Sequence, residues 1–191
     1  MELTLQEKKI LLNAARESIR SIFSNEKLPV TDYAKYPIFN SPSGAFVTIT
    51  KNKKLRGCIG YITSNNPLFE TVCDAAIQAA TEDPRFPPLS ENEFEKIELE
   101  ISILSEPFVM TSYDEIEIGK HGLILEEHGR RALLLPQVPV EHNLNKEQFL
   151  SALCQKGNFP SNFWKEKLLN IKMFTASVFS EEEVENENAE N

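Results

Sequence analysis

Between Ile97 and Ile103 the chain alternates Ile, Leu, Ile and Ile with Glu98, Glu100 and Ser102. A two-residue period of this kind fits an extended strand with one apolar and one polar face. Such half-covered strands belong to antiparallel sheets, since parallel strands are buried on both faces and read as unbroken apolar runs. Other segments agree with a sheet built from hairpins. Ala45 to Thr50 and Leu55 to Tyr61 flank the polar Lys51-Asn52-Lys53-Lys54, and Leu123 to Glu126 and Arg131 to Leu135 flank Glu127-His128-Gly129-Arg130. Ile171 to Phe179 reads as one further strand.

Helices separate these strands. Thr4-x-x-Glu7 is a capping-box pattern, and Leu12, Ala15, Ile19 and Ile22 recur at helical spacing, which predicts a helix from Leu5 to Phe23. A second helix is expected after Asn66-Pro67, with Asn66 as cap and Pro67 at the first helical position, ending at Asp83-Pro84. Its Leu68, Val72, Ala75 and Ala79 share a face, and the many alanines imply close approach to a sheet or another helix. Asn145-x-x-Gln148 opens a third helix, with Gly157 as its expected left-handed cap. A helical turn is expected around Ser161 to Leu169. The class is therefore α+β, a mainly antiparallel sheet flanked by helices.

The chain of 191 residues carries a net charge of −9, which disfavours a general nucleic-acid or anionic-membrane binder. Six of the excess acids are glutamates of residues 181–191, so the remainder is close to neutral. That acidic stretch holds one β-branched residue and no basic one, and is expected to be a disordered tail. The opening residues lack a secretory h-region, and no stretch approaches the ~18 apolar residues of a membrane span. Cys58, Cys73 and Cys154 are odd in number and widely spaced. The expectation is a cytoplasmic protein with reduced thiols, no zinc ribbon and no metal site.

Leu55-Arg56-Gly57-Cys58-Ile59-Gly60 is the segment with chemical character. Regular alternation would turn Leu55, Ile59 and Tyr61 to the core and set Arg56 beside Cys58 on the other face. A neighbouring guanidinium can lower a thiol pKa from ~8.5 to between ~3.5 and ~7.5, which favours the nucleophilic thiolate. Gly57 and Gly60 would admit a ligand or a second backbone, or mark a bulge. The plain alternative is that Cys58 is a small buried hydrophobe. Of the three histidines, His121 in Gly119-Lys120-His121-Gly122 is the best candidate base, while Glu98 and Glu100 fit a wet sheet face. The loop Asp83-Pro84-Arg85-Phe86-Pro87-Pro88 joins an anion, a cation and an aromatic. It suits anion binding, or an Asp83–Arg85 contact that closes the helix over the sheet. No phosphate-loop or dinucleotide motif is present.

LRGCIG, together with DPRFPPL (Asp83 to Leu89), IELEISILSEP (Ile97 to Pro107), IGKHGL (Ile118 to Leu123), LLPQV (Leu134 to Val138) and FL…CQKG (Phe149 to Gly157), resembles the AMMECR family. Prokaryotic members are called AmmeMemoRadiSam system protein A. The resemblance implies one domain over residues 1–180, built from two unequal, interleaved subdomains with a cleft between them. It implies association with a Memo-type protein and a radical S-adenosylmethionine protein, and it names no cofactor. It places Arg56, Gly57, Cys58, Ile59 and Gly60 in the hallmark, and Asp83, Arg85, Phe86, His121 and Gln137 in the other blocks. Two functions follow as expectations. One is a cysteine-dependent enzyme with Cys58 as nucleophile, Arg56 as activator and His121 as acid/base. The other is a binding module that docks a protein or a small anion through LRGCIG and DPRFPP, with Gly57, Gly60, Asp83, Arg85 and Phe86 at the surface.

Overall fold

The computed structural model describes residues 2–24 and 27–189, with the backbone alone for 188 and 189. Among them are six α-helices and eight strands in two four-stranded sheets, the expected α+β class. No described helix is long and apolar enough to cross a membrane. The chain divides into two units, Met1–Leu104 with Ser177–Asn191, and Ser105–Ala176. Each has its own buried hydrophobic cluster.

In the first unit, α1 (Leu5–Arg20) starts at the expected box, in which Thr4 and Glu7 cap each other, and ends at Arg20, capped by Ser21, rather than at Phe23. β1 (Ala45–Lys51) and β2 (Lys54–Tyr61) form the first hairpin. Its turn is only Asn52-Lys53, both left-handed at φ 53° and 59°, so Lys51 and Lys54 belong to the strands. α2 (Leu68–Thr81) is capped by Pro67, one residue later than expected. After α3 (Glu91–Phe94), β3 (Ile97–Leu104) pairs antiparallel with β1. The sheet order is β2-β1-β3-β8, with β8 at Ala176–Ser180, so β2 is an edge strand. α6 (Glu181–Ala189) then follows where disorder was expected; residues 190 and 191 lie outside the described residues. The physical reason for its order is local anchoring: Val184 is buried, and Glu181 is bonded to Arg16.

The second unit holds β4 (Phe108–Val109), β5 (Gly122–Glu127), β6 (Arg130–Leu134) and β7 (Ile171–Phe174) in the order β4-β7-β5-β6. α4 (Val138–Glu141) and α5 (Lys146–Lys156) complete it. The cap after α5 differs from expectation, because Gly157 has φ −80° and Asn158 takes the left-handed position at φ 59°. The expected single strand from Ile171 to Phe179 is two strands broken at Thr175, one in each sheet. One continuous segment therefore serves two sheets.

β2 departs from regular alternation. Ile49 pairs with Gly57 but Thr50 pairs with Leu55, so Arg56 is the extra residue of a β-bulge. Residues paired across strands share a face, so Leu55 joins Thr50, Thr48 and Cys58 on the face away from the core, and it is 43% exposed. Gly57, Ile59 and Tyr61 face α2, and Ile59 and Tyr61 pack against the core there. A methyl group on Gly57 would lie 2.1 Å from the Ala79 carbonyl oxygen of α2, and one on Gly60 would lie 2.2 Å from the Ala45 oxygen. Both glycines of the motif thus allow a second backbone to approach, and Gly57 with the alanines of α2 lets the helix lie close on the sheet. Gly57→Ala must push α2 away at a backbone contact that cannot yield, so the chain should lose about 1–3 kcal/mol. Urea denaturation measures this, with Val30→Ala at a site 92% exposed as the control.

Candidate functional site

The residues singled out around Cys58 meet at the open edge of β2. α2 ends at Thr81, and the chain turns so that Asp83, only 4% exposed, lies against the strand. Its Oδ2 accepts the Cys58 N–H at 2.8 Å. Arg85 donates to the same carboxylate from Nη2 at 2.7 Å, from Nε at 2.9 Å and from its backbone N–H at 3.1 Å. Arg85 Nη2 also reaches the Cys58 carbonyl at 3.5 Å. Carboxylate to N–H and guanidinium to C=O reproduce what a neighbouring strand would offer, so the loop covers an edge that would otherwise be sticky. The expected Asp83–Arg85 contact is present, yet the Arg85 side chain remains 54% exposed.

Electrostatics follow from these contacts. The Arg85 side-chain hydrogen bonds hold the Asp83 carboxyl well below the usual carboxylate range, against the opposing effect of burial, with the N–H groups of Cys58 and Arg85 assisting. Reciprocally, Asp83 raises Arg85 above its ordinary value.

The Arg56 guanidinium is bound to a carboxylate. Its Nε and Nη2 grip the Glu93 carboxylate at 3.1 Å each, and Nη2 also reaches the Pro88 carbonyl at 3.3 Å. Lys51 Nζ shares Glu93 at 2.9 Å. First the Arg56 bonds and then Lys51 hold the Glu93 carboxyl far below its ordinary value. Lys53 bridges Glu98 and Glu182. The positive run leading into Cys58 is therefore largely an ion-pair network within the fold. Phe86 is flanked by both guanidinium groups, with Arg56 at 5.9 Å and Arg85 at 5.5 Å from its ring centre.

Cys58 is half-buried, and its sulfur accepts a hydrogen bond from the Thr48 hydroxyl at 3.4 Å. Glu100 stands in register with Thr48 on the other side of β1. Cys73 and Cys154 are buried, and burial pushes both thiols up. His121 belongs to the second unit and Cys58 to the first. It is 6% exposed and braces its own turn: Nδ1 accepts the Glu117 N–H at 3.1 Å, and its ring lies edge-on to Phe108. Gln137 caps the start of α4 in that same unit.

Thr48 and Glu93 were not singled out by sequence. Thr48 is recognisable only once strand register is known, whereas Glu93 lies in Ser90-x-x-Glu93, a capping box that the structure contains.

A model of the AMMECR1 family matches residues 12–179. The chain belongs to the AMMECR1 family. A protein of Methanosarcina barkeri is 39% identical over 95% of this chain and 93% of its own length, and one of Thermoplasma acidophilum is 42% identical over 90% and 85%. Among solved structures, that of an uncharacterized protein from Pyrococcus horikoshii matches with a TM-score of 0.82 at 34% identity, covering 92% of each chain. The AMMECR1 model ends before α6 begins, and it spans every residue of the Cys58 edge.

Asp83→Asn keeps the shape but removes the charge that holds Arg85, and should lower stability at pH 7 by about 1–3 kcal/mol. A carboxyl with a lower pKa in the folded chain stabilises it above the unfolded value near ~4, and that contribution fades as pH falls through the folded value. The gap between wild type and Asp83→Asn should therefore narrow below pH ~4. Urea titrations at pH 7 and pH 3 give both quantities.

Proposed function

We propose that this AMMECR1 protein is a binding module and that Arg85 is the residue its ligand meets. The observation that supports this reading is the use of a buried carboxylate to hold an exposed cation. Asp83 commits both oxygens to Arg85 and the Cys58 amide, while Arg85 Nη1 makes no hydrogen bond among the described residues. A guanidinium fixed in this way loses little conformational freedom when it grips a carboxylate or phosphate. Phe86 adds an apolar face beside it, and the two prolines that follow stiffen the loop. The ligand class is an oxyanion carried by a small molecule or by a protein surface. The Memo-type and radical S-adenosylmethionine proteins implied by family resemblance are the partner classes for the second case.

A second reading, a cysteine-dependent enzyme, is favoured by one contact: the Thr48 hydroxyl donates to the half-buried Cys58 sulfur and fixes where it lies. Activation of the thiol would then come from a group other than Arg56, which is committed to Glu93.

Titration with inorganic phosphate, followed by nitrogen–proton correlation spectra, tests the binding reading. The Arg85 side-chain Nε–H and the Cys58 and Asp83 amides should shift saturably in wild type and in Cys58→Ser, but not in Arg85→Ala. Equal binding by Arg85→Ala, or shifts centred on other cations, would overturn it. Iodoacetamide labelling at pH 7 tests the second reading. Faster alkylation of Cys58 than of Cys73 and Cys154 is required, together with loss of function in Cys58→Ser.

A further inference from the structure

α6 is fastened to the first unit by a few identifiable contacts. It is nine residues long and holds five glutamates, too short and too self-repelling to be stable by itself. Ser180 and Glu183 cap its start reciprocally, at 3.2 and 3.0 Å. Glu181 accepts Arg16 Nε and Nη2 at 2.6 Å each and the Leu99 N–H at 2.9 Å, and Val184 is 4% exposed. Lys53–Glu182 and Lys8–Glu187 are more exposed pairs of the kind that add little.

The receiving side keeps its own support. Arg16 also donates to the carbonyls of Ile97 at 2.9 Å and Phe94 at 3.4 Å, so the main chain positions its guanidinium without help from α6. Arg16 and Leu99 lie within the region matched by the family model, and α6 lies beyond it. Open grooves of about 410 and 240 Å³ run along the Arg16–Glu181 pair, so water reaches it when α6 moves.

We infer that α6 is a releasable strap, locked by Glu181 on Arg16 and Leu99, that opens as one unit while the sheet it borders stays folded. Opening leaves the Arg16 fork and the Leu99 N–H facing solvent. The inference is independent of the Arg85 reading, since the two involve no common residue.

Amide hydrogen exchange of the full chain tests it. The amides of residues 182–187 and of Leu99 should share one opening rate, at least about 100-fold faster than Ile101 in the same strand. Glu181→Gln should raise both rates by about 10- to 100-fold, the loss expected when hydrogen bonds to a charged group are weakened. Glu187→Gln should change neither. The inference is overturned by α6 amides that exchange no faster than Ile101, by a Leu99 rate that stays with Ile101 while α6 exchanges, or by a Glu181→Gln variant with unchanged rates. Equal acceleration of Ile101 in that variant also overturns it, because the strap would then be part of the global fold.

Discussion

The contact between Gly57 and the Ala79 carbonyl governs how the first unit is arranged. With no side chain at Gly57, α2 settles directly on β2, and the depth of that contact sets where the helix ends relative to the strand. Asp83 lies four residues beyond Ala79, and Cys58 is one residue beyond Gly57, so the close approach delivers a carboxylate to the edge amide of Cys58. From there the arrangement of Arg85 and Phe86 follows.

A second constraint is the bulge at Arg56. It breaks the alternation of β2, moves Leu55 off the core face and leaves Arg56 outside the regular ladder, where Glu93 takes its charge. The motif therefore divides its labour. The glycines settle the packing, Arg56 ties the strand to α3, and the Cys58 backbone receives the loop after α2. The thiol is directed at Thr48, on the other face of the sheet.

Local signals in the sequence carried far, and non-local ones did not. Thr4-x-x-Glu7 located α1, the alternation of Ile97 to Ile103 located β3, and the short Asp83-to-Phe86 loop disclosed its own ion pair. The same reasoning applied to Ser180-x-x-Glu183 would have shown α6, but the acidic composition of that stretch argued for disorder, and a single buried valine with one distant arginine outweighed it. The break at Thr175 has no strong local sign, because no glycine or proline interrupts Ile171 to Phe179 at the change of sheet. Register was equally hidden. The bulge that frees Arg56 from regular pairing depends on β1, and the partition of Cys58 and His121 between two units depends on the whole chain.

Thr175 has a topological meaning as well. Ser105 and Thr175, where the second unit begins and closes, are joined by two hydrogen bonds, Ser105 N–H to the Thr175 carbonyl at 2.9 Å and Thr175 N–H to Ser105 Oγ at 3.0 Å. In chain order the second unit is an insertion between β3 and β8, and its own two ends meet. The entropic cost of closing a loop grows only with the logarithm of its length, and an inserted unit that folds on itself and brings its ends together offsets much of that cost. During synthesis β3 emerges well before β8, and its outer edge stays unpaired until the inserted unit has been made. Completion of the first sheet therefore waits until the residues of the second unit have been made.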